Sequence, residues 1–563
     1  MIYHCEDHTC NYWDEGEKLP ERCPQCGRKL LRANETDMTG DDWTALGNTL
    51  WDAEASDKKR MVDCFRKAAY LGSAWGVCNL GICMEQGNGV EADPVQAFWL
   101  YQQAVEMGSL NAVCCLGVCY QYGIGTAPDA EKAAELYCKA AEYGSPRGQM
   151  LLARAFHDGI GVEADAAEAV HWVRAAAYQR YGEGMHRLGV CYEYGDGVEQ
   201  NWERAVHWFR EAAESGVSVA MADLGYCYEK GCGVEQSWEQ AFSWYRRGAE
   251  CGYPVSMSNL GLCYKRGYGV DQNWQEAIKW YEQGAQCGDL QSMHNLACCY
   301  ERGEGVEQNE DRALYWYRRG AEAGSDYCMY CLGWNYSNGE GVEQNMTEAI
   351  RWYTAAAEGG NADAMHDLGW LYDHGEGVEQ DMKKAICWYE RAAEQNHPAA
   401  MNSLGECYAM GRGVPRDLET AMEWYRRAAE LGEAMADYNM GWHLEQAGKL
   451  SEAYAHYRKA ADGNDDSAWW ALGRFYENGV VVAQDGKEAR RCYETGEKLG
   501  SVKCKMRLAR CKLLGIGGRR EKKSGLDLCR QALELAKESS EKEDYGYEAE
   551  MNLLRRTIAE NES

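Results

Sequence analysis

Between Val219 and Gly252 the apolar positions keep a helical rhythm, break, and then resume it. Met221, Leu224, Gly225 and Tyr228 follow one another at three, one and three residues, which sets them on one face of a helix. Gly231-Cys232-Gly233-Val234 interrupts that face, and glycine tolerates the left-handed conformation of a helix stop. Ser237 is a good N-cap for a second helix, whose apolar stripe is Ala241, Trp244, Tyr245 and Ala249 and which ends at Gly252. Neither predicted helix can hide its stripe alone, so the pair must stack on further copies of itself.

Those copies are present. Taking the Leu of the Leu-Gly pair as an anchor, the pattern recurs at Leu46, Leu80, Leu116, Leu152, Leu188, Leu224, Leu260, Leu296, Leu332, Leu368, Leu404, Met440, Leu472 and Leu508. Eleven of the thirteen intervals are 36 residues and the others are 34 and 32. A fixed period of this length is the mark of a solenoid. The position of Ser237 is taken elsewhere by Asp93, Asp129, Asp165, Asn201, Asn273, Asn309, Asn345, Asp381 and Asp417, all good N-cap types. Val-Glu-Gln triplets begin at Val198, Val234, Val306, Val342 and Val378.

The L-G-x-C/x-Y helix, the G-x-G-V turn and the A-x-x-W-Y-x-x-A-A-x-x-G helix together resemble the Sel-1-like repeat of the tetratricopeptide superfamily. The resemblance runs from about Asp41 to about Gly518. It implies an all-α fold, an α/α right-handed superhelical solenoid of antiparallel helix pairs, and adaptor work in assembling complexes or in signalling. One unit departs: between Met440 and Ala453 the glycine loop is replaced by Gln446-Ala447-Gly448-Lys449, as in an ordinary tetratricopeptide repeat.

Charge narrows the partners. The formal net charge is −30, a field that repels nucleic-acid phosphate and anionic membrane. No apolar run is long enough to cross a bilayer, and Met1-Ile2-Tyr3-His4 does not open a signal peptide, so the expected location is cytoplasmic. A secreted, Cys-rich branch of the resembled family staples its helix pairs with disulfides. Here Cys83, Cys119, Cys191, Cys227, Cys263, Cys299, Cys407 and Cys511 all stand three after the anchor, and no matched second cysteine recurs one helix away. Thiols used as small apolar filler in a reducing compartment explain that register.

Residues 1–33 form a separate module. Cys5 and Cys10 make C-x4-C, and Cys23 and Cys26 make C-x2-C, twelve residues apart. Two such pairs suit a closed tetrahedral site for structural zinc, in a segment too small to fold unaided. The string from Trp13 to Gly27 resembles a rubredoxin-like zinc ribbon, although its first knuckle is longer than that family's. His4 and His8 therefore stand as alternative ligands, and iron as the alternative metal. The competing reading is four unligated cysteines in a disordered tail. Residues 34–41 are a polar linker, 41–518 the solenoid, and 519–563 polar capping helices that follow a charged turn at Arg519-Arg520-Glu521-Lys522-Lys523.

No catalytic constellation is present: there is no phosphate-binding glycine loop, no His-Glu-x-x-His and no nucleophile signature, so the chain reads as a non-enzyme. An acyl-transfer or β-lactam-binding activity lacks any serine or cysteine site. Function is instead expected on the concave face, which the resemblance to tetratricopeptide-like units implies is lined by first helices at five before, two before, two after and five after the anchor, positions that fall along one stripe. In the later repeats those sites hold Tyr327, Tyr330 and Trp334; His366, Trp370 and Asp373; Tyr438, Trp442 and Glu445; and Trp470, Arg474 and Glu477. In earlier repeats they hold Val190, Glu193, Ala222, Ser258, Leu262 and Lys265. The stripe is aromatic and acidic toward the C-terminal half, which suits a protein or peptide partner carrying Lys or Arg. The second-helix tryptophans, Trp208, Trp244, Trp280, Trp316, Trp352, Trp388 and Trp424, read as repeat packing. The expected function is a protein-interaction scaffold. The alternative is a regulatory protein whose zinc ribbon contacts nucleic acid or a transcription complex.

Overall fold

The computed structural model describes residues 2–5, 13–15, 30–33, 38–51, 55–542 and 548–562. Near the N-terminus, β1 (Ile2–Cys5), β2 (Trp13–Glu15) and β3 (Leu30–Ala33) form an antiparallel sheet in the order β2-β1-β3. Tyr3 pairs with Asp14 on one side and with Arg32 on the other. From Gly40 onward every described element is a helix, 29 in all among the described residues. They divide into two compact units, Met1–Ser292 and Met293–Ser563. Leu290–Arg302 at the division aside, in each unit a helix packs against the one before it and the one after it in chain order, which is the arrangement of a helical solenoid.

The Leu224 repeat shows why the sequence folds this way. Its helices are Ser218–Lys230 and Trp238–Glu250. Gly231 ends the first in the left-handed conformation at φ 75°, and its N–H bonds back to the Cys227 carbonyl at 2.9 Å. Two residues on, Gly233 comes so close to the start of helix Trp202–Glu214 in the preceding repeat that a Cβ would meet the Trp202 carbonyl group at 2.4 Å. The Gln of the Val-Glu-Gln triplet also has a task. Gln236 Nε2 donates to the Glu229 carbonyl at 2.8 Å, closing a carbonyl that the helix end leaves open. Gln200, Gln272, Gln344, Gln380 and Gln484 repeat the bond. Ser237 accepts from Gln240 N–H at 3.3 Å, and the Asp and Asn residues expected to cap second helices do so.

The core differs from the expectation in one element. The first-helix tyrosine four after the anchor, Tyr228, is only half-buried; the fully buried ring is Tyr245 on the second helix. Its ring lies close against the anchor glycine, where a Cβ on Gly225 would meet Tyr245 Cε1 at 2.5 Å. Its hydroxyl donates to Glu229 at 2.9 Å. Trp244 is buried beneath Arg247, whose guanidinium carbon is 4.2 Å from the ring centroid. Trp388 and Trp424 are half-buried under Arg391 and Arg427 in the same way. The cysteines three after the anchor are buried, and no disulfide joins any of the 23 described cysteines.

At the short repeat, Ala434–Gln446 and Leu450–Asp462 are joined through Gly448 at φ 76°, the ordinary tight turn the sequence suggests. The last two helices are Lys522–Lys542 and Glu548–Glu562. The first of them packs on Val502–Leu514 as the second helix of the Leu508 repeat, and Cys529, Ala532, Met551 and Leu554 share one cluster with Leu513. In the charged turn, exposed Arg520 donates Nε–H to the Leu513 carbonyl at 3.1 Å, in the place where other repeats use glutamine.

Candidate partner-binding site

The second unit carries the whole of the expected stripe, and its sites fall into three physical kinds. The tryptophans two after the anchor stand out from helices Asp326–Asn338, Ala362–His374 and Ala434–Gln446. Trp334, Trp370 and Trp442 are 46%, 37% and 38% exposed, and Tyr327, five before its anchor, is 54% exposed. Trp370 stacks on His374 at 4.2 Å between centroids, and Trp442 meets His443 edge-on at 4.7 Å. These contacts hold the rings in place while leaving a face in solvent.

The rings two before the anchor are half-buried. Tyr330 packs on Tyr353 at 5.7 Å and donates its hydroxyl to Asp367 in the next repeat at 3.0 Å. His366 lies between Tyr389 and His397, at 5.8 and 5.2 Å, with Nδ1 3.0 Å from Asp367 Oδ1. Tyr438 packs on Tyr457 at 5.6 Å, and burial pushes its phenol up to about 12. Trp470 is sandwiched by Arg474 at 4.6 Å and Lys503 at 5.3 Å.

The carboxylates five after the anchor are engaged inside the fold. Asp373 is 3% exposed and pairs with Arg412 of the next repeat at 2.9 Å. Glu445 accepts from the Tyr457 hydroxyl at 2.8 Å and from Arg474 at 3.0 Å. Glu477 accepts from Tyr493 at 2.8 Å, from Arg507 at 3.3 Å and from Arg510. This correction has a plain cause. At Glu445 and Glu477 the site five after the anchor faces the hydroxyl of the buried second-helix tyrosine and satisfies a donor that would otherwise be stranded, whereas Asp373 is taken by Arg412 and the Tyr389 hydroxyl makes no hydrogen bond to it. Glu85 and Glu301 serve Tyr101 and Tyr317 alike, at 2.5 and 3.2 Å.

Sequence reasoning missed a ladder between successive first helices, joining the residue two before one anchor to the residue one before the next. His186 Nε2 lies 2.7 Å from Asp223 Oδ2, Tyr330 donates to Asp367 at 3.0 Å, and Asn439 donates to Asn402 at 3.0 Å. Aspartate directly before the anchor, at Asp223 and Asp367, was the available signal. In the first unit a cavity of about 300 Å³ has Met150, Val170 and Val173 in its wall. The charged groups at its edge pair with one another: His157 sits 2.7 Å from Asp158 and 3.2 Å from Asp196.

Cys5, Cys10, Cys23 and Cys26, the expected metal ligands, lie outside the residues whose side chains are described; only the backbone of Cys5 is placed, at the end of β1. Among the described residues no cluster of three or more His, Cys, Asp or Glu side chains is arranged to hold a metal, and no helix is long and apolar enough to cross a membrane.

A stack of helix pairs with these glycines, caps and buried tyrosines is a repeat of the Sel1 kind. The Sel1 repeat matches residues 76–109, 112–145, 146–181, 182–217, 218–253, 254–289, 290–325, 326–361, 362–397, 398–433, 434–465 and 468–501, and the chain belongs to that family. Among solved structures it is similar to c5321, a protective antigen present in uropathogenic Escherichia coli strains that displays an SLR fold. The two share 28% identity over 76% of this chain and 94% of that one, with a TM-score of 0.50. It is also similar to a Sel1 repeat protein from Oxalobacter formigenes, at 32% identity over 43% of this chain and 96% of that one, with a TM-score of 0.40. No curated protein matches the chain. Sel1 repeat solenoids generally mediate protein–protein interaction and are typically non-enzymatic scaffolds.

Proposed function

We propose that this protein is a scaffold that holds a protein or peptide partner on the first-helix face of its second unit, with Tyr327, Trp334, Trp370 and Trp442 as the contact rings. One observation carries the reading: three tryptophans at one register of the repeat keep more than a third of their surface in water. A repeat needs no ring there for its core, because the anchor, the glycine and the second-helix tyrosine already fill it. Burying two or three such rings supplies several kcal/mol at roughly 25 cal/mol per Å² of apolar area, before binding costs. Tyr330, His366, Tyr438 and Trp470 frame the row and hold the first helices in register. Asp373 and Glu445 act from inside, so preference for a basic partner comes from the overall charge of −30 and weakens with salt. The first 33 residues form a zinc ribbon in this proposal, with Cys5, Cys10, Cys23 and Cys26 as ligands of a structural ion; the paired spacing and the short β-sheet around it support that assignment.

Trp334→Ala combined with Trp370→Ala is the test. A partner captured from native extract and identified by mass spectrometry should be lost by the double variant, while helicity and melting temperature hold. Unimpaired capture, or unfolding of the variant, rejects the site.

A further inference from the structure

One rung of the first-helix ladder has a different chemistry. Cys78 stands two before Leu80 and Cys115 one before Leu116, the two positions, 37 residues apart, that join His186 to Asp223 and Tyr330 to Asp367. Both side chains on this rung are thiols, and the two residues belong to one buried cluster. Cys78 is 1% and Cys115 5% exposed, so the pair is shielded from bulky reagents. Arg147, on helix Pro146–Asp158 of the following repeat, reaches back and sets Nη1 3.7 Å from Cys115 Sγ. The neighbouring Cys114 turns the other way, to Ser145 Oγ at 3.9 Å.

We propose that Cys78 and Cys115 form a redox-modification site, at which a hydroperoxide oxidises Cys115 and Cys78 then closes a disulfide between successive repeats. The ladder brings the sulfurs together, and the charges decide which one reacts. Elsewhere in the solenoid burial pushes thiols up, alone at Cys83 to about 11 and with nearby acids at Cys227 to about 12. At Cys115 the adjacent Cys78 thiol and then the Arg147 guanidinium act against burial and bring the thiol below its ordinary value. Cys78 is pushed far up by Cys115 and by its own burial. The other groups facing the pair are Ser109, Cys114, and Glu85, which is tied to the Tyr101 hydroxyl at 2.5 Å.

The chemistry closes without further reagents. Cys115 thiolate attacks one oxygen of hydrogen peroxide, the O–O bond breaks, and hydroxide leaves and takes a proton from solvent to become water. Cys115 is then a sulfenic acid, oxidised by two electrons. Cys78 sulfur attacks the Cys115 sulfur, the S–O bond breaks, and the departing hydroxyl takes the Cys78 proton as a second water. Two thiols and one peroxide give one disulfide and two waters.

The experiment uses the reduced full-length protein with one equivalent of hydrogen peroxide, followed by blocking of free thiols and peptide mapping without reductant. The expected product is one linked pair of peptides, carrying Cys78 and Cys115, lighter by two hydrogens and separated again by a dithiol. Cys115→Ser should abolish it and Cys114→Ser should leave it unchanged. Arg147→Gln should slow the reaction several-fold at neutral pH and move the midpoint of its pH–rate profile upward, with the melting temperature held. The inference is overturned if the exposed thiols Cys251, Cys287 and Cys387 oxidise while Cys78 and Cys115 can still be alkylated after denaturation. Linkage through Cys114 overturns it equally.

Discussion

Replacing Gly225 by alanine sets two physical effects against each other and so tests how the repeat is built. Gly225 lies inside a helix, where glycine costs about 0.5–1 kcal/mol relative to alanine, so propensity alone predicts that Gly225→Ala stabilises. Packing predicts the reverse. The new Cβ would stand 2.5 Å from Tyr245 Cε1 and 2.7 Å from Cδ1, where carbon atoms at rest keep about 3.5–4.0 Å. Tyr245 is 1% exposed and its hydroxyl is held by Glu229 at 2.9 Å, so retreat by about 1 Å strains both the core and that bond. Overpacking of this kind costs about 1–3 kcal/mol, and a hydrogen bond to a charged group is worth about 1.5–3 kcal/mol when lost. The expected net loss is about 2 kcal/mol, confined largely to this repeat and its neighbours because a solenoid couples only adjacent units. Hydrogen exchange read by peptide mass spectrometry should therefore accelerate by roughly tenfold or more in Ser218–Lys230 and Trp238–Glu250 and little elsewhere. Gly252→Asn is the control: Gly252 is at φ 84° with no atom near its missing Cβ, and Asn396 and Asn464 already stand at φ 61° and 66°. Exchange unchanged or slowed in Gly225→Ala would refute the steric account.

Three other outcomes are expected. Burial, with Asp466 and Glu433 adding to it against two backbone hydrogen bonds, pushes Asp465 up to about 6, so folding takes up a proton there. The ionised group's cost to stability is present above pH 6 and is relieved as the pH falls toward 4. Asp465→Asn, which keeps the acceptor for Ala468 N–H, should raise the melting temperature at pH 7.5 and leave it unchanged near pH 4; equal effects at both would contradict this. Arg412→Ala strands the buried Asp373 carboxylate and should cost about 2 kcal/mol in urea unfolding, of which the double variant with Asp373→Asn regains at least half; a double variant no better than the single refutes the pairing. Elemental analysis of the protein should find about one metal ion per chain, lost in the variant with Cys23→Ser and Cys26→Ser together; unchanged metal content removes those ligands from the site.

Much of the solenoid was legible along the chain because each repeat is a local object. The anchor period, the glycine stops and the caps from Asp93 to Asp417 act within a few residues of sequence, and the structure places them where the pattern put them. The candidate site was legible only as a register. Periodicity shows that Tyr330, Trp334 and the serine five after Leu332 lie along one face; it says nothing about which of them a neighbour covers. Trp334 stays in water, Tyr330 is drawn into a bond with Asp367, and Asp373 is closed off by Arg412, an arginine that in sequence is merely the variable residue of a glycine turn.

Sequence by itself therefore determined the unit, its helices, their ends and the order in which they stack, since those depend on backbone propensity and on apolar spacing within one repeat. Tertiary structure decided which side chains remain free. The carboxylate of Glu445 became a hydrogen-bond acceptor for Tyr457, the thiols of Cys78 and Cys115 became neighbours, and Trp334, Trp370 and Trp442 were left exposed. Each of these outcomes depends on a partner from the other helix or the next repeat. Burial and pairing are properties of two surfaces in contact, and a single strip of sequence describes only one of them.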